Sequence, residues 1–363
     1  MKRKICFTGG GTAGHVFPGL SVIDTLCADH GFSKSDFIWI GSSTGMEKKL
    51  VEDAGISFVG IPSGKLRRYF SLRNFFDIFK IALGLVYAFC ILLKVRPSIV
   101  FSKGGYVSVP PVAAARFLRI PVMTHESDYT PGLATKINSV SADRILLSVE
   151  ETLKYIKPAY RNKAMVVGNP VRKEFYSGSR ERGLAFLGLD GKKPVIFAVG
   201  GSQGSGEIND LVYSLRKELA ERFCIVHQTG AGAALPPSDT DGYIQLPFIR
   251  KEIADVIAAA DLVITRAGAG SLWELAAEGK ASVLIPLRGS GTRGDQVKNA
   301  DFFRKSNAAA VLDSDIIEPK ALLDEIYSIM DTDRKKELEK NISGMSKGNS
   351  ASLIAEEIMR LIK

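Results

Sequence analysis

The stretch KICFTGGGTAGHVFPGL, residues 4–20, decides the fold class of this chain. The apolar run KICFT leads into a glycine-rich turn, and a helix is expected to begin near Pro18. An apolar strand that continues through glycines into a helix is typical of a parallel α/β sheet. The stretch VIFAVGGSQGS, residues 195–205, repeats this plan. The sequence therefore predicts an α/β protein with two Rossmann-like domains, each built on a doubly wound parallel sheet.

Short apolar runs alternate with helical patterns along the rest of the chain, as two such sheets require. The predicted strands are KICFT, DFIWIG, PSIVFS, PVMTHE and RILLSV in the first domain, and VIFAVGG, CIVHQTG, GYIQLP, LVITRAG and SVLIPL in the second. The spacing of apolar residues in SASLIAEEIMRLIK predicts an amphipathic closing helix. We place the two domains at residues 1–162 and 163–340, and the closing segment at 341–363.

The composition is that of a globular protein, with 363 residues, 45% hydrophobic and 24% charged, enough for two domains. The net charge of +9 favours an anionic partner. Four cysteines scattered through apolar runs indicate reduced thiols in the cytosol and no metal site. The longest apolar run, Ile81–Leu93, is shorter than the roughly 20 residues of a membrane span. We therefore expect no transmembrane helix, and we expect no signal peptide.

The first glycine-rich turn, Gly9–Gly14, places His15 at the mouth of the following helix. Small residues let the backbone approach an anion, and a helix start offers unpaired N–H groups. A tight turn without a ligand is the alternative, but it leaves His15 unexplained. A nicotinamide dinucleotide site is disfavoured because the second strand ends in Gly41–Ser43 without a carboxylate. A P-loop is disfavoured because no GK[ST] follows either glycine-rich turn.

Two further features favour a nucleotide-sugar enzyme. The second glycine-rich turn, residues 200–205, gives the chain one phosphate-binding turn per domain, which suits a donor diphosphate on one side and an acceptor on the other. In LVITRAGAGSLWE, residues 262–274, small residues precede a helix whose first turn is expected to contain Glu274. Its carboxylate is suited to accept both hydroxyls of a ribose. Alternatively, Ser271 and Glu274 form a capping box, and spacing alone leaves both interpretations open.

Seven ordered motifs carry a family resemblance: GGGTAGHVFPGL, SKGGYVSVP, HESDYTPGLATK, GNPVR, GGSQGS, ITRAGAGSLWE and TRGDQVKNA. Together they span about residues 4–310 and resemble the MurG family, the bacterial glycosyltransferases that make lipid II from lipid I and UDP-GlcNAc in peptidoglycan synthesis. The resemblance implies a GT-B fold, with the donor in the C-terminal domain, the acceptor in the N-terminal domain, and a last helix that returns to the N-terminal domain. It also implies an inverting, metal-independent transfer without a cofactor. The protein would be peripheral, on the cytoplasmic face of the cell membrane.

The resemblance assigns roles to individual residues. The backbone of Ile249 would contact uracil, Glu274 the ribose, and Gln296 the GlcNAc hydroxyls. The donor phosphates would lie near Arg172, Ser202, Ala269, Gly270 and Ser271. The acceptor side would be lined by Thr12, Gly14, His15, Tyr106 and Asp128.

The general base that takes the acceptor proton is assigned to His15, with Asp128 and Glu126 as further candidates. Alternatively, His15 only binds the acceptor diphosphate. Three positions depart from the family pattern. Many members read HEQN where this chain has HESD at 125–128, and many have Gln or His where Asp295 precedes Gln296. It therefore stays open which residue contacts the N-acetyl group and whether Asp128 has an acid–base role.

The stretch Lys65–Arg96 combines seven cations with a single acid, Asp77. Its first half interleaves cations and aromatic residues, which suits a surface that lies on anionic lipid. The residues of this predicted membrane surface are Lys65, Arg67, Arg68, Arg73, Phe75, Phe76 and Phe79. RNA would suit the same composition, but no nucleic-acid motif accompanies it. The other alternative is an ordinary core helix with a basic rim, and we expect Ile81–Leu93 to be core in either case.

Two rival functions share the same architecture. One is a UDP-GlcNAc epimerase, which would not need the basic aromatic surface, and the other is a non-catalytic protein that binds a nucleotide sugar or a lipid. Three DxD triplets, at 239–241, 313–315 and 331–333, lie in polar turns away from the glycine-rich turns. We interpret them as helix caps and solvated charges rather than as metal ligands.

Overall fold

The structure is a computed structural model that describes residues 4–64, 72–201, 203–232, 235–289 and 292–362, with residues 72–76 described by their backbone alone. The chain divides into two compact units. The first comprises Met1–Arg172 and Asn349–Lys363, and the second comprises Lys173–Gly348.

Both boundaries differ from the predicted 162/163 and 340/341. Residues 164–166 form an edge strand of the first sheet, so the first unit extends further along the chain. The helix Arg334–Met345 contributes Leu338 to the core of the second unit, so the segment that belongs with the first unit begins only at Asn349.

The first unit contains seven parallel strands. They are β1 (Ile5–Thr8), β2 (Phe37–Ser42), β3 (Ser57–Ile61), β4 (Ile99–Ser102), β5 (Val122–Glu126), β6 (Arg144–Leu147) and β7 (Ala164–Val166), in the sheet order β3-β2-β1-β4-β5-β6-β7. The second unit contains six. They are β8 (Val195–Val199), β9 (Cys224–Gln228), β10 (Tyr243–Leu246), β11 (Leu262–Thr265), β12 (Ser282–Leu284) and β13 (Ala310–Val311), in the order β10-β9-β8-β11-β12-β13.

All ten predicted strands are present. The three that the sequence did not predict are β3, β7 and β13. Two of them, β7 and β13, are only three and two residues long. β3 is a sheet edge, and its sequence SFVGI contains Ser57 and Gly60 and is only partly buried, so it lacks the apolar run of a central strand.

The helices are α1 (Phe17–Asp29), α2 (Glu47–Asp53), α3 (Leu72–Val95), α4 (Val109–Phe117), α5 (Leu133–Ser141), α6 (Arg180–Leu187), α7 (Gly206–Arg222), α8 (Ile253–Ala259), α9 (Ala269–Glu278), α10 (Asp295–Lys305), α11 (Pro319–Met330), α12 (Arg334–Met345) and α13 (Ser350–Leu361). Short 3-10 helices span Ala13–His15, Lys34–Asp36, Tyr106–Ser108, Glu150–Tyr155, Pro158–Lys163 and Lys173–Tyr176.

The first sheet is covered on both faces, as its apolar strands require. Phe7 belongs to a core that includes residues of α1 and α13, whereas its neighbour Cys6 belongs to a second core formed with α3 and α4. Successive strand residues point to opposite faces, so these are the two sides of one sheet. The closing helix α13 buries Ile354 and Ile358 in the first of these cores and packs against α1.

Helix α3 bears on two expectations from the sequence and contradicts the second. Its residues Asp77–Val95 are long and apolar enough to cross a membrane by length and composition, although the uninterrupted apolar run is shorter. Its later half is also not core throughout. Ala88 and Leu92 are fully buried, but much of the helix is exposed. The exposed apolar side chains are Ile78, Phe79, Leu83, Val86, Tyr87, Phe89 and Leu93.

Candidate functional site

The two turns that are predicted to face the acceptor lie at the topological switch point of the first sheet. Strands β1 and β4 are neighbours, with Thr8 aligned with Ser102. After β1 the chain continues to β2 on one side of this pair, and after β4 it continues to β5 on the other side. Turns that follow two such strands diverge and leave a crevice, which is where α/β sheets bind ligands. Here the two turns begin at Gly9 and Lys103.

Backbone contact between these turns requires glycine. A Cβ on Gly105 would lie 2.4 Å from the carbonyl oxygen of Gly10, and Gly105 has a φ of 77°. A side chain at this position would therefore separate the two turns.

The buried carboxylate of Glu47 holds the first turn in place. Its Oε2 accepts the backbone N–H of Gly11 at 3.2 Å, and its Oε1 accepts the N–H of Ser42 at 2.8 Å. The N–H of Gly11 is therefore already paired, and other N–H groups of the turn would have to bind an anion. Sequence reasoning missed Glu47, since a carboxylate at the start of a surface helix usually interacts with that helix alone.

His15 and Tyr106 meet at this crevice. The imidazole lies beside the second turn, with Cδ2 of His15 3.2 Å from where a Cβ on Gly105 would be. The ring of Tyr106 lies 3.0 Å from the corresponding position on Gly11. Thr12 and Gly14 are exposed in the same turn. The structure thus brings these predicted acceptor residues together on an accessible surface.

Glu126 ends β5, the next strand of the sheet, and Asp128 lies in the turn that follows it. The Glu126 carboxylate is 4% exposed and accepts the N–H of Asp128 at 3.0 Å and the N–H of Gly132 at 2.9 Å. Burial, and then the nearby Asp128, raise the pKa of Glu126. With both oxygens bonded to the backbone, Glu126 is suited to hold this turn, whereas Asp128 is half-buried and more accessible.

Arg172 belongs to the first unit, although its predicted role is at the donor phosphates. Its guanidinium stacks over the ring of Phe17, 4.4 Å from the ring centroid. Phe17 begins α1, two residues after His15. Within the first unit, this cation–π contact places Arg172 next to the turn that contains His15. The donor role of Arg172 stays a prediction.

The second unit has a matching arrangement at its own switch point, between β8 and β11. Their carboxyl ends are aligned, with Thr265 opposite Val199. A cavity of ≈ 390 Å³ lies between the turns that follow them, and its walls include Gly201, Arg266, Ser271 and Gln296. Gly204 has a φ of 79°, and a Cβ there would lie 2.1 Å from the carbonyl oxygen of Thr229, so glycine is required. Ser202, predicted to lie at the donor phosphates, is outside the described residues.

The sequence did not single out two arginines of this unit, of which Arg266 lines the cavity. Arg266 and Arg288 both bind the carboxylate of Glu207, in the first turn of α7, at 2.6 Å and 2.5 Å. Arg266 also donates to the carbonyl oxygen of Ile285 at 3.0 Å. Both guanidiniums are largely buried, and the three side chains together carry one net positive charge. The ion pairs hold this charge in place, and one of its members, Arg266, lines the cavity.

Helix α9 corrects the prediction for Glu274. The helix begins at Ala269 with Gly268 as its N-cap and has no acidic residue in its first turn. Glu274 therefore lies in the second turn, and Ser271 is inside the helix rather than at its cap. The capping-box alternative is wrong, which leaves the ribose interpretation as a prediction.

The remaining predicted donor residues are anchored by hydrogen bonds. The side-chain oxygen of Gln296 accepts the N–H of Leu287 at 2.9 Å, and Asp295 pairs with Arg293 at 2.9 Å. The N–H of Ile249 donates to Oε1 of Gln228 at 2.9 Å. A contact between uracil and the backbone of Ile249 would therefore have to use the carbonyl group of Ile249.

Comparisons with known proteins give the family. Residues 5–147 match the glycosyltransferase family 28 N-terminal domain, and residues 195–358 match its C-terminal domain. The UDP-N-acetylglucosamine–N-acetylmuramyl-(pentapeptide) pyrophosphoryl-undecaprenol N-acetylglucosamine transferase of Treponema denticola is 45% identical over 337 residues, covering 87% of this chain and 85% of that protein. The enzyme of the same name from Treponema pallidum is 43% identical and covers 99% of this chain and 96% of that protein.

This chain belongs to the MurG family.

A solved structure agrees with the family assignment. The crystal structure of MurG from Acinetobacter baumannii is 26% identical, covers 99% of both chains and superposes with a TM-score of 0.75. The predicted fold class, two Rossmann-like domains of the GT-B type, is confirmed for this MurG-family chain, and so is its assignment as a hexosyltransferase.

Proposed function

We propose that this chain transfers N-acetylglucosamine from UDP-GlcNAc to the 4-hydroxyl of lipid I, the polyprenyl diphosphate-linked MurNAc-pentapeptide, and so forms lipid II. The family relationship gives the reaction. The observation that carries the proposal is that each unit has glycine-rich or small-residue turns on both sides of its switch point. Two diphosphates, one on the donor and one on the acceptor, require two such sites.

The reaction we propose is an inverting displacement. The oxygen of the acceptor hydroxyl forms a bond to the anomeric carbon, the bond from that carbon to the diphosphate oxygen breaks, and its electron pair leaves with UDP. The hydroxyl proton passes to a general base. His15 is our candidate because its ring lies between the two acceptor-side turns, and Asp128 is the alternative.

Departure of UDP needs fixed positive charge. We assign this charge to Arg266, which lines the cavity of the second unit, and to Arg288, which binds the same carboxylate of Glu207. The N-terminus of α7, capped by the hydroxyl of Ser205, and the N-terminus of α9 add partial positive charge at the same turns. We propose that these groups replace a metal ion, so that transfer needs neither metal nor cofactor.

We also propose that the first unit binds the cytoplasmic face of the membrane through α3. Gly84, Ala88 and Leu92 are buried, and a Cβ on Gly84 would lie 2.3 Å from the carbonyl oxygen of Pro62. The helix is therefore packed along the domain, which favours insertion of its outer face into the lipid surface over a crossing of the bilayer. Phe117, 73% exposed at the end of α4, extends the apolar surface.

The predicted cations would supply attraction to anionic lipid. Lys65, Arg67 and Arg68 lie outside the described residues, as do the side chains of Arg73, Phe75 and Phe76. Phe79 is described and is 59% exposed. No nucleic-acid partner is proposed.

The test supplies radiolabelled UDP-GlcNAc with and without a lipid I analogue. We expect label in the lipid-extractable fraction only when the analogue is present. Conversion of UDP-GlcNAc to its 2-epimer without acceptor would instead indicate an epimerase. Binding of UDP-GlcNAc without turnover in the presence of the analogue would indicate a non-catalytic binding protein.

A further inference from the structure

Lys103 is a buried lysine for which neither the sequence motifs nor the mechanism above provides a role. It follows β4 directly, at the switch point of the first sheet, and is 2% exposed. Its backbone N–H donates to the carbonyl oxygen of Thr8 at 2.8 Å. A buried ammonium is costly unless it is paired, so its partners indicate its role.

The ammonium reaches across to the end of the neighbouring strand, β5. Nζ of Lys103 donates to Oγ of Ser127, which in turn donates to Oδ1 of Asn169 at 2.5 Å. Two residues before Ser127, Nε2 of His125 donates to the carbonyl oxygen of Gly168 at 2.8 Å. The end of β5 is thereby bonded to residues 168–169, shortly before the chain leaves the first unit at Arg172.

The titratable groups that face Lys103 are Glu126, Asp128 and His125. Both carboxylates stabilise the ammonium, while burial lowers the pKa of Lys103 to about 8. Burial, and then the charge of Lys103, lower the pKa of His125, so this imidazole is neutral and donates from Nε2. Among these three groups and Lys103, the lysine is therefore the cation.

We propose that Lys103 is a positioning residue for the acceptor: its ammonium holds the Ser127–Asp128 turn through the Ser127 hydroxyl and balances the charge of Asp128. The inference rests on the proposed function, in which Asp128 lines the acceptor side. It also gives a physical reason for serine and aspartate at the two positions where this chain departs from HEQN. A hydroxyl can accept from the ammonium and donate to Asn169, and the aspartate carries the charge that the ammonium balances.

The test combines kinetics with a direct titration of the lysine. Lys103→Met keeps the length of the side chain but loses the charge. We expect it to lower kcat/KM for the lipid I analogue at least tenfold while the donor KM stays within twofold. The wild type should lose activity as the pH rises through about 8, because Lys103 loses its proton there. Lys103→Arg should keep activity above pH 9, because arginine stays protonated.

Lys280→Met is the matched control. Lys280 is also a lysine withdrawn from solvent, bonded to the carbonyl oxygens of Ala258 and Ala260 at 2.7 Å and 3.0 Å in the second unit. Its loss should lower the melting temperature without a selective effect on the acceptor. The proposal is overturned if kcat/KM of Lys103→Met for the acceptor stays within twofold of wild type. It is also overturned if the wild type and Lys103→Arg lose activity at the same alkaline pH.

NMR titration of the Lys103 side chain separates this proposal from the proposed function. With ¹³C,¹⁵N-labelled lysine, assigned by comparison with Lys103→Arg, we expect a midpoint near 8 that falls in Asp128→Asn. A midpoint above 10, or one that Asp128→Asn leaves unchanged, contradicts the charge link whatever the activity is. If the wild type transfers no GlcNAc to the acceptor, the proposed function fails and the acceptor role of Lys103 fails with it.

Discussion

The carboxylate of Glu47 and the backbone of Gly11 are joined by a partly buried hydrogen bond of 3.2 Å that fixes the first glycine-rich turn. The same carboxylate also accepts the N–H of Ser42, so one side chain connects the ends of β1 and β2. A turn rich in glycine has high conformational entropy, and the two hydrogen bonds of this carboxylate restrict the conformations of the turn.

We expect Glu47→Ala to destabilise the first unit and to raise the acceptor KM. Two backbone N–H groups would lose their partner. This lowers the free energy of unfolding by about 1–3 kcal/mol for each N–H group that stays buried. Glu47→Gln should be intermediate, because its amide can accept only through one oxygen. Thermal unfolding and acceptor kinetics measure the two effects. Glu52→Ala, on the exposed side of the same helix, is the control and should change neither.

His15→Ala should lower kcat by about 10²-fold or more if His15 is the general base. Donor binding should change little, because His15 belongs to the first unit and the donor cavity to the second. Steady-state kinetics with each substrate varied in turn provide the measurement. A normal kcat with a raised acceptor KM would make His15 a binding residue, and Asp128→Asn would then be the next variant to measure.

The sequence predicted both sheets because their strands are continuous apolar runs followed by glycines, and burial on both faces imposes that pattern. It could not predict residues whose role depends on partners distant in the chain. Glu47 is 36 residues from Gly11, and Glu207 is 59 and 81 residues from the arginines it binds. It also misjudged α3, because periodicity shows which residues are apolar and not whether another element covers them.

Glu274→Ala should weaken donor binding more than it slows the chemical step. A contact to the ribose is present in both the ground state and the transition state, so its loss raises KM with a smaller change in kcat. The position of Glu274 in the second turn of α9 also means that its loss removes no helix cap. Donor kinetics, with melting temperature as the control for folding, test this. An unchanged donor KM would remove Glu274 from the site.

Arg288→Met should reduce kcat for transfer by about 10-fold or more, because it removes positive charge that stabilises the departing UDP. It also leaves Glu207 paired with Arg266 alone among the described residues, so the net charge of this cluster falls from one to zero. Glu207→Gln should have the opposite electrostatic effect.

Activity of the wild type should persist in excess EDTA, and a loss that added Mg²⁺ restores would contradict the metal-independent mechanism.

The apolar and the cationic side chains of the proposed membrane surface should contribute separately to membrane binding. Leu83 and Val86 are 48% and 57% exposed on α3, and burying such a side chain in an apolar environment contributes about 1.5–3 kcal/mol. Replacing both with Asp should therefore release the protein from neutral and anionic vesicles alike, at low and high salt. Replacing Lys65, Arg67, Arg68 and Arg73 with Gln should weaken binding to anionic vesicles only, and 0.5 M salt should mimic that change because exposed charges are screened.

Ile316→Asp is the control for this pair of variants. Ile316 is 77% exposed in the second unit, so its replacement removes a comparable apolar side chain from a surface that is not expected to touch lipid. Vesicle co-sedimentation measures binding, and turnover of a short-chain soluble acceptor checks that each variant is folded. If the Leu83 and Val86 double variant sediments with vesicles as well as Ile316→Asp does, the exposed face of α3 is not the membrane surface.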